Sequence, residues 1–414
     1  MSGGWNAGPQ RLYLLVLILW WRPPVVLMVA ICLYFQIHQP FRLRRYSAFD
    51  SEPEYFDSHL NSQWIHRVAR TSYLPAIDLF SRMAQRYGPA MRLTLGISGT
   101  AIEQFELYHP DVLVQLQGLA KTGCVEFLCE PSHHSLAFLY SPDEFRQQVR
   151  LHRQIIKKYF GQNPRVFRNS NLIYSNEVGR LLSSARVEAA IIEGWEGVLG
   201  DSNQPTHVYT AMRDKLRLLL RHYRLSEDIS MRFSARSWSQ FPLMADKYAR
   251  WLSGLSGDYG LVGLDLENLG ERHPAESGIF DFFMALPEYL FSLGGKLVTP
   301  SQIIDSVEPL REISVPRNIG WTDTHRDLSC WLGNAMQSNA MQELYRLEDA
   351  IKACNDEVLL GDWRRLTTSD HFFYMNTRHL GDASAPDFST YESPFHAYMN
   401  YMSILDNLAG RARP

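Results

Sequence analysis

The chain has 414 residues, 45% of them hydrophobic and 12% aromatic, enough to bury a large core with an accessory domain beside it. Its 41 basic and 44 acidic residues nearly cancel, with no long run of one sign. That excludes the basic face of a nucleic-acid binder and favours a neutral partner such as a sugar or a peptide.

Five cysteines, Cys32, Cys124, Cys129, Cys330 and Cys354, are odd in number and lack metal-ligand spacing. They read as reduced, mostly buried thiols of a cytoplasmic protein. Residues 1–27 open with an apolar run, Leu12 to Trp21, behind Arg11. The run resembles a signal-peptide core but has no small-x-small cleavage site. Arg22-Pro23-Pro24 interrupts it short of the about 20 apolar residues that a membrane helix needs. An over-extended start ahead of Met28 is the first reading, a signal or anchor the second, and native structure the third. No membrane contact is expected unless that segment is real.

From Met28 onward, short apolar runs rich in β-branched and aromatic residues alternate with longer segments of helical period. The strand candidates are Ala30–Phe35, Met91–Ile97, Val125–Leu128, Arg165–Phe167, Val187–Ile192, Ile229–Phe233 and Leu261–Leu266. Helix candidates between them are Leu74–Tyr87, Pro110–Ala120, Pro142–Phe160, Ala211–His222 and Pro242–Leu255. Strand and helix in repetition mean a parallel sheet with right-handed crossovers, and continuous apolar strands mean that both faces are covered. Seven candidates within residues 28–294 predict an α/β fold, a distorted barrel of the TIM type, with an open doubly wound sheet as the alternative. No G-x-G-x-x-G turn follows a strand, so nucleotide binding has no support. Over residues 295–414 strand patterning disappears. Asp327–Cys354 and Pro394–Leu408 read as helices of a C-terminal helical domain packed on the barrel.

In such a barrel the chemistry sits at the strands' C-terminal tips. The first strand runs into His38, the third carries Glu126 and Glu130 with His134 beyond it, and the fourth ends at Asn171. Glu193 follows the fifth, Asp228 and Arg232 bracket the sixth, and Asp265 ends the seventh. Carboxylates and a histidine with Trp238, Trp321 and Trp331 suit a carbohydrate, whose hydroxyls take hydrogen bonds and whose faces pack on indole rings. The ordinary structural reading of each is a buried histidine, a turn or capping aspartate, and a core tryptophan. His133, His134 and Glu130 suit no standard metal site, and no cofactor is implied.

Longer strings carry a resemblance. Tyr34-Phe35-Gln36-Ile37-His38-Gln39-Pro40, Ser98-Gly99-Thr100-Ala101-Ile102-Glu103-Gln104, Leu225-Ser226-Glu227-Asp228-Ile229, Trp321-Thr322-Asp323-Thr324 and Ser369-Asp370-His371-Phe372 are similar, in order, to motifs of glycoside hydrolase family 57, in its α-amylase-like branch. The resemblance implies a (β/α)7 barrel with a helical C-terminal domain and a retaining mechanism on α-glucans. Retention requires two carboxyl groups about 5 Å apart, one a nucleophile and one a general acid/base. The family's acid/base motif, Asp-Tyr-Glu-Thr-Phe-Gly-Glu-His, corresponds to Asp265-Leu266-Glu267-Asn268-Leu269-Gly270-Glu271-Arg272, with His273 one position late. Asp265 takes the acid/base position, and Arg272 is expected to hold it ionised if near. The nucleophile motif, Arg-Asn-Thr-Glu-Leu-Ile-Tyr, corresponds to Arg168-Asn169-Ser170-Asn171-Leu172-Ile173-Tyr174, so Asn171 stands where the family has its nucleophilic Glu.

A neutral amide neither attacks an anomeric carbon nor stabilises positive charge there, and losing one member of a catalytic unit costs about 10⁴ to 10⁶ in rate. Glu177 lies past the strand tip and does not replace it. The resemblance therefore implies a catalytically impaired relative that binds an α-glucan or malto-oligosaccharide through His38, Gln39, Glu103, Glu130, His134, Glu193, Asp228, Arg232, Trp238, Trp321 and Asp323. Alternatives are an active retaining α-amylase or 4-α-glucanotransferase, with another carboxylate or a water serving for Asn171, and a non-catalytic interaction protein.

Overall fold

A computed structural model describes residues 1, 3, 30–200, 204–321, 325–378 and 389–412. The signal-like run and Asp323 lie outside these residues. Among these residues ten strands form one sheet: β1 Ala30–Ile37, β2 Leu93–Ile97, β3 Val125–Phe127, β4 Val166–Arg168, β5 Ala189–Glu193, β6 Tyr209–Ala211, β7 Arg217–Arg221, β8 Tyr259–Asp265, β9 Lys296–Leu297 and β10 Glu312–Ile313.

The parallel pairs β1–β2–β3, β4–β5–β7–β8 and β8–β1 leave one gap, between β3 and β4. Cys129 fills it, accepting from Arg168 N at 2.8 Å and donating to Val166 O at 2.9 Å. Seven parallel strands thus close into a (β/α)7 barrel of the distorted TIM type, with a helical C-terminal region beside it. Every residue of β1 is buried, as expected where helices cover the outside and side chains fill the inside.

Local chemistry explains the elements between strands. The helix Pro142–Phe160 opens on Ser141, whose side chain accepts from Glu144 N, and has Pro at its start and acids in its first turn. It closes on Gly161 in the left-handed region. Inside the barrel, a side chain at Gly96 would collide with Gln36 and Tyr34, and one at Gly263 would press on Tyr34 and Arg221. These two glycines leave the lumen to larger groups from neighbouring strands.

Two expected elements are exchanged. Ala211–His222, read as a helix, contains the end of β6 and all of β7, whereas Ile229–Phe233, read as a strand, begins inside the helix Tyr223–Ser230. Leucine at 216, 218, 219 and 220 fits either period over so short a run. The strand form wins because edges of β5 and β8 stand ready to pair with it. The following helix buries Leu225, Ser226, Ile229 and Ser230 on one face, the spacing of an amphipathic helix.

Strand structure also continues past residue 295. β9 pairs with β1 and β10 with β6, two-residue pairings too short to show as a sequence pattern. Beyond them the chain is helical: Ser329–Leu332, Ala335–Arg346, Glu348–Ala353, Glu357–Leu366, Ser369–Phe373 and Pro394–Arg411. Trp331, Trp363, Phe372 and Tyr401 share one core with Val149, Phe167, Ile192 and Leu220 of the barrel.

Candidate active site at the barrel mouth

Period-two alternation carries Tyr34 and Gln36 of β1 along the same inner face, and Arg168, Glu193, Arg221 and Asp265 are the last residues of β4, β5, β7 and β8. Tyr34 is buried, and its ionisation is opposed by desolvation and influenced by Arg168, Glu130, Asp265 and Arg221. Those four charged groups therefore lie close enough to act on its hydroxyl. Gln36 accepts from the Tyr34 hydroxyl and donates to both oxygens of Glu130, at 3.0 and 3.2 Å.

Two carboxylates of this layer are fully used by the protein. Glu130, with no exposure, has Nδ1 of His134 at 3.4 Å and Nη1 of Arg168 at 3.6 Å. Burial would raise its pKa, but His134, His152 and Arg168 outweigh burial and pull it down to about 2. Glu193, equally enclosed, accepts from Nη1 of Arg221 at 2.9 Å and Nη1 of Arg326 at 3.1 Å. Burial still pushes its pKa up against those two cations. Arg326 also pairs with Glu227.

Asp265 differs from both. No hydrogen bond reaches its carboxyl group among the described residues, and it is only partly covered. Burial raises its pKa, outweighing Arg168, Arg272, Arg221 and His38. This corrects the expectation that Arg272 holds it ionised: desolvation is the larger effect, and Nη1 of Arg272 donates to Ser230 O at 3.4 Å. Glu267, two residues on, is pushed up to about 8, first by burial and then by Asp265. It accepts from the Tyr73 hydroxyl and from Nε2 of Gln39 at 3.1 Å. Arg42 fixes Gln39 from the other side, donating to its Oε1 at 3.0 Å.

Asn171 lies three residues past β4 with φ +53°, a left-handed conformation that asparagine adopts more readily than most residues. Its Nδ2 donates to Ser369 Oγ at 3.1 Å, and its carbonyl accepts from Trp321 N at 2.7 Å. The helical region thus reaches the mouth. Asp370 binds His38, which stacks on His134 with ring centroids 3.9 Å apart. Half-buried Trp321 presents its ring to Arg221, whose guanidinium lies 4.7 Å from the centroid.

The structure gathers His38, Gln39, Glu130, His134, Asn171, Glu193, Asp265 and Trp321 at one end of the barrel. Asp228 and Arg232 are not strand-end groups. They pair at 2.7 Å, with Asp228 on the helix Tyr223–Ser230 and Arg232 just beyond it, a direct consequence of the exchanged strand. Trp238 packs beside Trp251 against the hydrophobic core, and Glu103 pairs with Arg365 of the helical region. Glu177 is exposed in the first turn of the helix Asn176–Leu182.

Sequence reasoning did not assign Arg221, Arg326, Asp370, Glu267, Tyr73 or Ser369. The Ser369-Asp370-His371 string signalled two of them, whereas Arg221 was hidden by its assignment to a helix. Among the described residues no three His, Cys, Asp or Glu side chains are grouped to hold a metal ion, and no helix is long and apolar enough to cross a membrane.

The model of Glycosyl hydrolase family 57 matches residues 32–316. The chain belongs to that family. A Methanocaldococcus jannaschii protein described as "Putative alpha-amylase" is 36% identical over 392 residues, 90% of this chain and 82% of its own length. Two solved structures are similar in shape at low identity. The 4-alpha-glucanotransferase of Thermococcus litoralis aligns at 12% identity with a TM-score of 0.65, over 83% of this chain and 56% of that one. This chain thus spans little more than half of that enzyme. The alpha-amylase AmyC of Thermotoga maritima aligns at 14% identity with a TM-score of 0.62, over 94% and 95% of the two chains. In this family 57 member the barrel, Asp265 and the His38-Gln39-Pro40 turn stand together with an amide in the β4 loop.

Proposed function

We propose that this α-amylase-like protein binds an α-glucan at the barrel mouth and does not hydrolyse it by the retaining route. One observation carries the reading: among the described residues Asp265 has no free carboxylate partner. Asn171 is neutral and held by Ser369. Glu130 and Glu193 are enclosed and paired with histidine and arginine. Glu267 shares the Asp265 strand end and is held toward its neutral form. A covalent glycosyl intermediate needs an ionised group facing the acid across the sugar, and each of these candidates is neutral or already paired.

Binding is supported by different residues. Trp321 offers a half-buried indole to a sugar face, and Asp265 and His38 offer polar atoms at the same end of the barrel. The neighbouring folds include a glucanotransferase, an alpha-amylase and a branching enzyme of Thermococcus kodakaraensis solved with glucose. Soluble starch incubated with the protein is expected to yield no reducing ends above buffer, while an amylose affinity gel retards the protein. Turnover that disappears in Asp265→Asn but persists in Asn171→Ala would overturn the impaired reading. Migration unaffected by the glucan would remove the binding reading.

A further inference from the structure

Two guanidinium groups at the mouth have N–H groups with no acceptor among the described residues. Arg168 ends β4 and Arg221 ends β7, exposed by 2% and 0% respectively. Among the described residues, Nε and Nη1 of Arg168 and Nη2 of Arg221 meet no hydrogen-bond acceptor. Glu130 approaches Arg168 at 3.6 Å, an ion-pair separation too long for a hydrogen bond. Leaving a buried charged donor unsatisfied is among the costlier defects of a protein interior.

The layer's own carboxylates do not supply the missing acceptors. Glu130 is committed to Gln36 and His134, and Glu193 to Arg221 Nη1 and Arg326. Burial disfavours the charged form of Asp265. Asn171, in the loop that follows Arg168, carries a neutral amide that donates to Ser369 and adds no negative charge.

We propose that the barrel mouth takes an anionic saccharide, a hexose unit bearing a carboxylate or a phosphate, whose charged oxygens accept from the unpartnered N–H groups of Arg168 and Arg221. Guanidinium groups match both anions in geometry and bind them by charge-assisted hydrogen bonds, strengthened where water is excluded. The inference rests on the mouth being the ligand site and deepens that reading by naming the charge of the ligand.

Titration calorimetry with D-glucuronate, glucose 6-phosphate, glucose, maltotriose and inorganic phosphate tests it. Either charged hexose is expected to bind about tenfold or more tighter than glucose, less so as salt rises. Asn171→Glu, which places a carboxylate in the loop after Arg168, should abolish the preference. Arg168→Gln should do the same, with circular dichroism verifying its fold. Equal affinities for charged and neutral hexoses would overturn the proposal, as would a preference that survives Asn171→Glu. Inorganic phosphate binding as tightly as glucose 6-phosphate would remove the saccharide from it. Maltotriose bound with no gain from charge would sink this inference and leave the glucan reading standing. Charged hexoses bound while maltotriose and amylose are not would do the reverse.

Discussion

His38 ties the barrel to the C-terminal helices: its Nε2 stands 2.9 Å from Oδ2 of Asp370, while its Nδ1 lies 2.8 Å from Ser98 Oγ. Burial opposes the charge on Asp370, but His38, with help from His134 and His371, holds that carboxyl well below the usual aspartate range. A carboxyl group lowered in the folded state contributes stability that is complete above its unfolded pKa and is lost as pH falls through the folded value. Asp370→Asn should therefore cost roughly 1–3 kcal/mol at neutral pH. Urea unfolding should show the gap between variant and parent closing below about pH 4.

Glu267 runs the opposite way. Its carboxyl is raised to about 8 by burial and by Asp265, so the folded protein holds a proton that the unfolded chain releases near pH 4.5. Stability from this group then falls as pH rises across that window. Glu267→Gln keeps the hydrogen-bonding shape without the charge. The variant should gain on the parent by on the order of a few kcal/mol between pH 5 and pH 8, given about 1.4 kcal/mol per pKa unit. Parallel unfolding curves at the two pH values would refute the raised pKa.

Restoring a carboxylate at Asn171 tests whether Asp265 still works as an acid. Asn171→Glu should release reducing ends from starch where the parent releases none, and Asn171→Glu with Asp265→Asn should release none again. Glutamate tolerates the left-handed backbone of position 171 less well than asparagine, so the gain should come with a loss of about 1 kcal/mol in stability. A folded but inactive Asn171→Glu protein would place the impairment on the Asp265 side as well.

The enclosed Glu193–Arg221–Arg326 cluster predicts a large effect from a single removal. Glu193→Ala removes the only carboxylate paired with buried Arg221 among the described residues and leaves Arg326 with Glu227 alone. It should cost about 3–5 kcal/mol, the usual penalty for breaking one side of a buried pair. Thermal unfolding reads this directly. A change under 1 kcal/mol would mean that water already screens the cluster.

Much of the barrel could be read along the chain, for one reason in each place. β1 and β8 are long apolar runs buried on both faces, and Pro142–Phe160 carries its own start and stop signals. Asn171 and Asp265 could be located because long strings around them resemble known motifs. The exchange of β7 with the helix Tyr223–Ser230 had the opposite origin. Four leucines within five residues carry no decisive period, and the exchange put Asp228 and Arg232 at the ends of a strand that is a helix while leaving Arg221 out.

By itself the order of residues determined the repeated strand–helix pattern, the helical texture of the last hundred residues and the amide in the β4 loop, because each depends on neighbours in the chain. Only the folded barrel decided which carboxylates are enclosed by guanidinium groups, that Asp370 and Ser369 reach the mouth, and that burial outweighs Arg272 at Asp265. Those outcomes depend on the distance and solvent exclusion between groups tens to hundreds of residues apart, and charge interactions follow separation in space.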